Sequence, residues 1–467
     1  QHRESWVRLD RVFRVHAGSV RREASFLPEA AYRRVAAALA SRGGTLVPVT
    51  TNPVDALWAD RPQPSDAPLA VQPDDLAGRS AADKRAELAD WLRTQGADAL
   101  VLSALDSIAW AFNVRGTDVT HTPVALSYAL VHADGTAELF VVPGKVGDDI
   151  HRHLGNAVRL RDKAAFASAL GALAGKRVAV DPERAVAAIF DALDTGGATL
   201  LPVRDPVVLA KAIKNPAEIA GHAAAQARDA AALVRFLKWF EETAPAGQLT
   251  ELHVAERLHA FRTETGVLKD LSFETISATG AHGASPHYKV TEESNAPILP
   301  GQLFLIDSGG QYADGTTDIT RVMPVTEPTA EMRDRFTRVL KGHIAVATAI
   351  FPDGTTGAQI DAFARRPLWE AGLDFAHGTG HGIGAYLSVH EGPQRIAQPS
   401  YPGGGPLEPL RAGMLLSNEP GYYKAGEYGI RIENLMLVVT CAPAGGDLPM
   451  LAFETTSFVP IERRLID

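Results

Sequence analysis

The chain has 467 residues, 46% hydrophobic and 22% charged, the balance of a globular protein with ample core and enough length for roughly two to three domains. Its 46 basic residues against 55 acidic ones leave a formal charge of −9, which argues against nucleic acid or an anionic membrane as the main partner. Cys441 is the only cysteine, so an intrachain disulfide is excluded and nothing calls for an oxidising compartment.

No apolar run approaches the roughly 20 residues needed to span a bilayer. The opening Gln1-His-Arg-Glu-Ser-Trp-Val-Arg8 lacks an apolar signal core. A cytoplasmic enzyme is expected, with no membrane and no nucleic-acid partner. Because residue 1 is not Met, the chain is also expected to start inside a longer one.

In chain order, residues 1–60 carry helical spacing from Leu27 to Ala40 and an apolar strand, Thr45-Leu-Val-Pro-Val49. This is too little for a complete domain. The prolines of Asp60-Arg-Pro-Gln-Pro-Ser-Asp-Ala-Pro68 deny helix and mark a linker. From 61 to 208 the pattern alternates. Helical spacing at Asp83–Gln95 is followed by an apolar run at Ala99–Leu102. Strands are expected at Ala125–His132 and Ala137–Val142 around the hairpin signal Asp134-Gly135. Helices at His151–Leu154, Phe166–Leu173 and Val186–Leu193 then alternate with strands at Arg177–Val180 and Thr199–Val203. Such alternation predicts an α/β domain, and it holds no phosphate loop or nucleotide fingerprint.

A last domain, 209–467, opens on Asn215-Pro216, a good N-cap followed by a residue suited to the first helical turn. Helical spacing runs to about Glu242, and Thr250 can cap a second helix to Thr265. Strands then dominate, with helices expected at Ala330–Ile350 and Ala358–Ala371 and a surface loop at Gly403-Gly-Gly405. Helices packed on a sheet predict an α+β layer.

The chemistry lies in this last domain. Leu303-Phe-Leu-Ile-Asp307 is an apolar strand ending in a carboxylate, and Thr316-Thr-Asp318-Ile-Thr-Arg321 reads as its return across Ala313-Asp314-Gly315. That hairpin sets Asp307 roughly opposite Asp318. Like charges so placed destabilise the sheet unless a cation neutralises them. Asp314 reads as a turn cap. His377-Gly-Thr-Gly-His-Gly-Ile-Gly384 sets two histidines in alternating glycines, with His390 following. The glycines let other groups approach His381 closely. Met414-Leu-Leu-Ser-Asn-Glu419 and Ile430-Arg-Ile-Glu433 each put a glutamate on an apolar strand. In the second, period-2 alternation places Arg431 and Glu433 on one face, so a plain salt bridge competes with ligation. Four carboxylates and one imidazole carry too much negative charge for one divalent ion. They suit two, about 3.5–4 Å apart, such as Mn²⁺, Co²⁺ or Zn²⁺. Neither H-E-x-x-H, paired cysteines nor G-x-S-x-G occurs.

Asp307, Asp318, His381, Glu419 and Glu433, in this order and context, resemble the ligands of the pita-bread metallopeptidases, the family of aminopeptidase P, prolidase and methionine aminopeptidase. Leu305-Ile-Asp-Ser-Gly309, Asp314-Gly-Thr-Thr-Asp-Ile-Thr-Arg321, Val389-His-Glu-Gly-Pro393 and Asn418-Glu-Pro-Gly-Tyr-Tyr423 are similar to its three-domain Xaa-Pro aminopeptidase branch. So is Asp106-Ser-Ile-Ala-Trp-Ala-Phe-Asn-Val-Arg-Gly-Thr-Asp118. The resemblance implies a creatinase-like α/β domain at 61–208, a pita-bread catalytic domain at 209–467, and in 1–60 the closing portion of an incomplete first domain. It implies two divalent metals, most simply Mn²⁺, bridged by Asp318 and Glu433, with Asp307 on one and His381 and Glu419 on the other. A bridging water would attack the carbonyl before proline, and Glu419 would shuttle its proton. His287, in Ser285-Pro-His-Tyr-Lys289, matches a histidine that stabilises the tetrahedral state. His377 and His390 match histidines beside the substrate's proline, and Tyr423 and Arg431 match supporting residues. Peptides with proline second are the implied substrates, and a homodimer the implied assembly. Gly280-Ala-His282-Gly-Ala284 departs from the family's Gly-Ala-Asn-Gly-Ala, which bears on substrate preference. Prolidase is the alternative within the family. Methionine aminopeptidase has no use for the large N-terminal region, and a non-catalytic binding module would have lost ligands that are all present here.

Overall fold

Residues 20–22, 27–48, 57–60, 65–402 and 404–467 are described by the computed structural model. Val49, residues 1–8, linker residues 61–64 and Gly403 therefore lie outside the described residues. The chain separates into two units: Gln1–Val71 with Arg79–Asp118 and Val124–Val207, and Gln72–Gly78 with Val119–Pro123 and Val208–Asp467.

In the first unit, six strands form one sheet. Their order is Thr199–Pro202, Arg177–Val180, Ala99–Leu102, Tyr128–His132, Ala137–Val141 and Val158–Asp162. Two parallel pairs are joined by crossover helices, Asp148–Leu154 and Ala187–Thr195, as parallel pairing requires. The Asp134-Gly135 signal does turn the chain, setting Val131 opposite Ala137. Val101, Leu130, Phe140 and Val180 fill the core, and Phe166 stacks on Tyr128 at 4.1 Å. Helix Leu105–Phe112 was not anticipated. It is buried from Ser107 to Phe112, so its apolar run shows no amphipathic period to read.

The second unit is built of helix-on-sheet layers. Asn215 caps helix Pro216–Thr243 through a full capping box: its side chain accepts from the Ala217 and Glu218 amides at 3.0 and 3.1 Å, and the Glu218 carboxylate accepts from the Asn215 amide at 3.0 Å. Thr250 caps helix Glu251–Thr263. Together these helices pack Phe236, Phe240, Val254 and Leu258 onto Phe304 and Ile306, with the Phe240 and Phe304 rings 4.8 Å apart. Phe304 and Ile306 belong to strand Leu303–Ser308, which runs antiparallel between Ile276–Thr279 and Ile319–Pro324. A six-stranded sheet follows the order Ile350–Pro352, Met450–Thr455, Asn434–Cys441, Leu415–Asn418, Gly380–Gly382, Glu391–Ile396. Helices Ala330–Ala347 and Gly357–Trp369 join it in a core of Phe336, Val339, Ile360, Leu368, Leu416 and Met436. No helix among the described residues is long and apolar enough to cross a membrane.

Two local expectations change. Gly315 already pairs with Tyr312, and Asp307 faces Thr320 rather than Asp318. The turn is Ala313-Asp314, where the Arg228 guanidinium grips the Asp314 carboxylate at 3.1 and 2.8 Å. Because the slip is two residues, Asp318 stays on the same face as Thr320 and so as Asp307. Secondly, Ile430–Met436 is not one strand: Tyr428–Arg431 pairs with Gly421–Lys424, and Asn434–Cys441 pairs in the large sheet. Ile432 and Glu433 form the break between them.

Candidate metal centre and active site

Each candidate ligand sits where a strand begins, ends or is crowded. Asp307 lies on the central strand of the small sheet and Asp318 just ahead of the returning one. Glu419 follows strand Leu415–Asn418, and Glu433 occupies the break. His381 is the middle residue of Gly380–Gly382. A side chain at Gly380 would bring its Cβ to 2.0 Å from the Ser417 carbonyl oxygen, so only glycine lets this strand lie so close to its neighbour.

The five converge on a cavity of about 510 Å³, lined also by His287, His377, His390 and Arg431. One ligand atom each from Asp318, His381 and Glu433 lie within 4.8 Å of one another, the one such group of three among the described residues. His381 Nδ1 lies 3.0 Å from the Gly382 carbonyl oxygen, to which it donates. Its Nε2 therefore turns a lone pair towards Glu419 Oε1 at 3.2 Å and Asp318 Oδ2 at 3.5 Å. A nitrogen lone pair facing two carboxylates is a poor contact without a cation and a good ligand set with one. Asp307 stands slightly apart: its Oδ2 accepts from Arg431 Nη2 at 2.6 Å, while its buried Oδ1 has no hydrogen-bond partner among the described residues.

Electrostatics point the same way. Burial, then the charges of Glu433, Asp307 and Glu419, push Asp318 well above the usual carboxylate range. Burial and the same neighbours push up Glu433. Burial raises Asp307 too, against the pull of Arg431. Glu419 alone is held low: burial would raise it, but in the metal-free site, when Nε2 of His381 carries a proton, its hydrogen bond and charge outweigh that. One guanidinium cannot neutralise three buried carboxylates and a half-buried fourth, so the residues fit two divalent cations.

The Arg431–Glu433 salt bridge that period-2 alternation allowed does not form. Arg431 spends its donors on Asp307, on Tyr423 Oη at 2.8 Å and on Thr320 Oγ1 at 3.1 Å. Tyr423 lies behind the cavity wall, and its hydroxyl also meets His377 Nε2 at 2.8 Å. His377 Nδ1 donates to the Gly378 carbonyl at 2.7 Å, so the order runs Arg431 to Tyr423 to His377, each donating to the next. Burial lowers His377 to about 4, and neighbouring His381, then burial, lowers His390 to about 3. Both are neutral imidazoles at pH 7.

Several residues at the site escaped sequence reasoning. Thr320 Oγ1 donates to Glu433 Oε2 at 2.7 Å. Its signal was its place two residues after Asp318, on the same face. Arg321 donates to the Glu433 carbonyl at 2.6 Å, to Asn434 Oδ1 at 2.8 Å, and to the Val459 and Pro460 carbonyls at 2.6 and 3.0 Å. Thr120, His121 and Thr122 line the cavity from the short segment Val119–Pro123, where His121 takes φ +64°. No local pattern announces them.

Residues 220–440 match metallopeptidase family M24, and residues 60–218 match the creatinase/prolidase N-terminal domain. Aminopeptidase P2 of Arabidopsis thaliana is 42% identical over 450 residues, covering 89% of this chain and 63% of that protein. A probable Xaa-Pro aminopeptidase P of Arthroderma gypseum is 40% identical over 457 residues, covering 95% of this chain and 71% of that one. The crystal structure of X-prolyl aminopeptidase from Caenorhabditis elegans, described as a cytosolic enzyme with a di-nuclear active site, superposes with a TM-score of 0.90 at 34% identity. It covers 96% of this chain and 73% of its own. The chain thus spans about two thirds to three quarters of the length of these relatives. Likeness of this extent, in sequence and in fold alike, means that the chain belongs to metallopeptidase family M24, alongside the Xaa-Pro aminopeptidases P.

Proposed function

We propose that the protein is a dinuclear metalloaminopeptidase that removes the first residue from peptides with proline second. The observation that carries this reading is the meeting of Asp318, His381 and Glu433 within 4.8 Å, in a cavity that Asp307 and Glu419 share. Asp318 and Glu433 would be shared by the two ions, Asp307 would hold one, and His381 with Glu419 would hold the other. Mn²⁺ is the first choice for such an oxygen-rich set, with Co²⁺ or Zn²⁺ next. When bound, such a pair acidifies water and polarises a carbonyl oxygen.

The chain's own groups do the rest. Glu419, the one carboxyl group of the site held below the usual range, takes a proton from the attacking water and passes it to the leaving imino nitrogen of proline. His287 on its exposed turn donates to the oxygen of the tetrahedral state. His377 and His390, kept neutral, lie beside the pyrrolidine ring without adding charge to an already crowded site. Arg431 orients Asp307 and, through Tyr423, His377.

Metal analysis of the purified protein, with hydrolysis of Xaa-Pro and Xaa-Pro-Xaa peptides before and after chelation, tests the reading. Cleavage of the tripeptide, abolished by chelation and restored by Mn²⁺, is expected. Cleavage of dipeptides alone would make it a prolidase, and failure to bind any divalent ion would leave a non-catalytic module. A cytoplasmic homodimer completes the proposal, to be checked by a sedimentation mass twice the 49.8 kDa of one chain.

A further inference from the structure

His287 is exposed, and among the described residues its imidazole makes no hydrogen bond. Its position therefore depends on the turn that carries it. That turn is tied at both ends by backbone: the His282 carbonyl accepts from the Ser285 amide, and the Ser285 carbonyl accepts from the Tyr288 amide, each at 3.1 Å. The two flanking rings, His282 and Tyr288, stack with centroids 4.4 Å apart and planes 24° from parallel.

Both rings are anchored on one carboxylate. Glu251, at the start of helix Glu251–Thr263, is fully buried at 0% exposure. Its oxygens accept from His282 Nδ1 at 2.9 and 3.1 Å and from the Tyr288 hydroxyl at 3.0 Å. They accept as well from the Thr279 and Ala296 amides at 2.8 and 3.1 Å. No lysine or arginine among the described residues pairs with Glu251, so these donors alone satisfy its buried oxygens and each is held firmly. On the opposite side the turn is pinched by the hairpin bearing Arg431: a Cβ on Gly429 would fall 1.7 Å from the Gly283 carbonyl oxygen. Tyr288 itself lines the cavity beside His287.

We infer that Glu251, His282 and Tyr288 form a pin that sets the His287 imidazole over the reacting carbonyl, with His282 and Tyr288 as positioning residues. The inference rests on the catalytic role proposed for His287. It also gives His282 a job: an imidazole here can stack on Tyr288 and reach Glu251 at once.

The test uses Tyr288→Phe, which removes one donor and keeps the ring, and His282→Phe, which keeps the stack and removes the other donor. Each is made in the wild-type and in the His287→Ala background, with metal content measured throughout. Misplacing a catalytic group by a fraction of an ångström lowers kcat, so each single variant is expected to lose about 10-fold or more in kcat, with KM within about 3-fold and metal content unchanged. His282→Gln, which keeps a donor, is expected to recover part of the loss. In the His287→Ala background the same substitutions are expected to cost less than about 2-fold, because the group they position is gone. Wild-type kcat in both single variants, or the same full loss in the His287→Ala background, would overturn the pin. Near-normal activity of His287→Ala alone would overturn the role of His287 and the pin with it. A crippled His287→Ala beside unaffected Tyr288→Phe and His282→Phe would refute the pin only.

Discussion

Thr320→Val is the sharpest probe of how the centre is held. The hydroxyl of Thr320 gives its proton to Glu433 Oε2 at 2.7 Å and accepts from Arg431 Nε at 3.1 Å. It is wholly buried, at 0% exposure. Valine has the same shape and the same preference for strand, so Ile319–Pro324 stays formed. What changes is the pairing of two buried charges. Loss of a hydrogen bond to a carboxylate costs roughly 1.5–3 kcal/mol, and an orphaned guanidinium donor roughly 1–3 kcal/mol more. The extra methyl returns about 0.8 kcal/mol, which leaves a net loss of about 2–5 kcal/mol in the metal-free protein. Freed from its tether, Glu433 should also bind metal about 10–100-fold more weakly, the usual effect of losing a partner behind a ligand. Denaturant unfolding of the chelated protein and calorimetric titration with Mn²⁺ measure the two quantities, with Thr320→Ser as the control that restores the hydroxyl. A valine variant that unfolds at the wild-type denaturant concentration and binds Mn²⁺ with wild-type affinity would refute the reasoning.

Glu419→Ala should lower kcat by about 10²–10⁴-fold through loss of the proton shuttle, and turnover near wild type would rule out that role. Gly380→Ala forces a Cβ to within 2.0 Å of the Ser417 carbonyl oxygen. Parting the two strands should cost about 1–3 kcal/mol and displace His381, seen as a lower melting temperature and reduced metal content together. His222 is buried, and burial holds its pKa down to about 3. Its neutral ring therefore stabilises the fold fully above the unfolded value near 6.5, and that contribution is lost as pH falls from there towards 3. Between pH 7 and 5 the wild type should lose about 2 kcal/mol more than His222→Leu, and equal losses in urea unfolding would exclude His222 as the source.

The helices and their caps were the most legible part of the chain, because caps are local. Asn215, Pro216 and Glu218 lie side by side in sequence and close the same capping box in space. The candidate ligands were legible for another reason: a carboxylate in or beside an apolar run is costly without a partner, and four such anomalies with a histidine set among glycines carry a chemical meaning. What stayed hidden depends on contacts distant in sequence. The hairpin register is set by Arg228, far upstream on a helix, gripping Asp314. The break at Ile432–Glu433 arises where one strand leaves the large sheet to pair with Gly421–Lys424. By sequence position Glu251 is an ordinary acidic residue of a first helical turn. Only the folded chain reveals the four donors gathered on it.

Arg321 joins the Glu433 carbonyl, Asn434 and the carbonyls of Val459 and Pro460 in a single guanidinium fork. The bridging carboxylate proposed for the centre is therefore oriented by a segment that lies far from it in sequence and follows it in synthesis. Contacts of such long range form slowly, after their loops have closed. In the proposed reading, the centre would be complete only once Val459 and Pro460 have docked on Arg321.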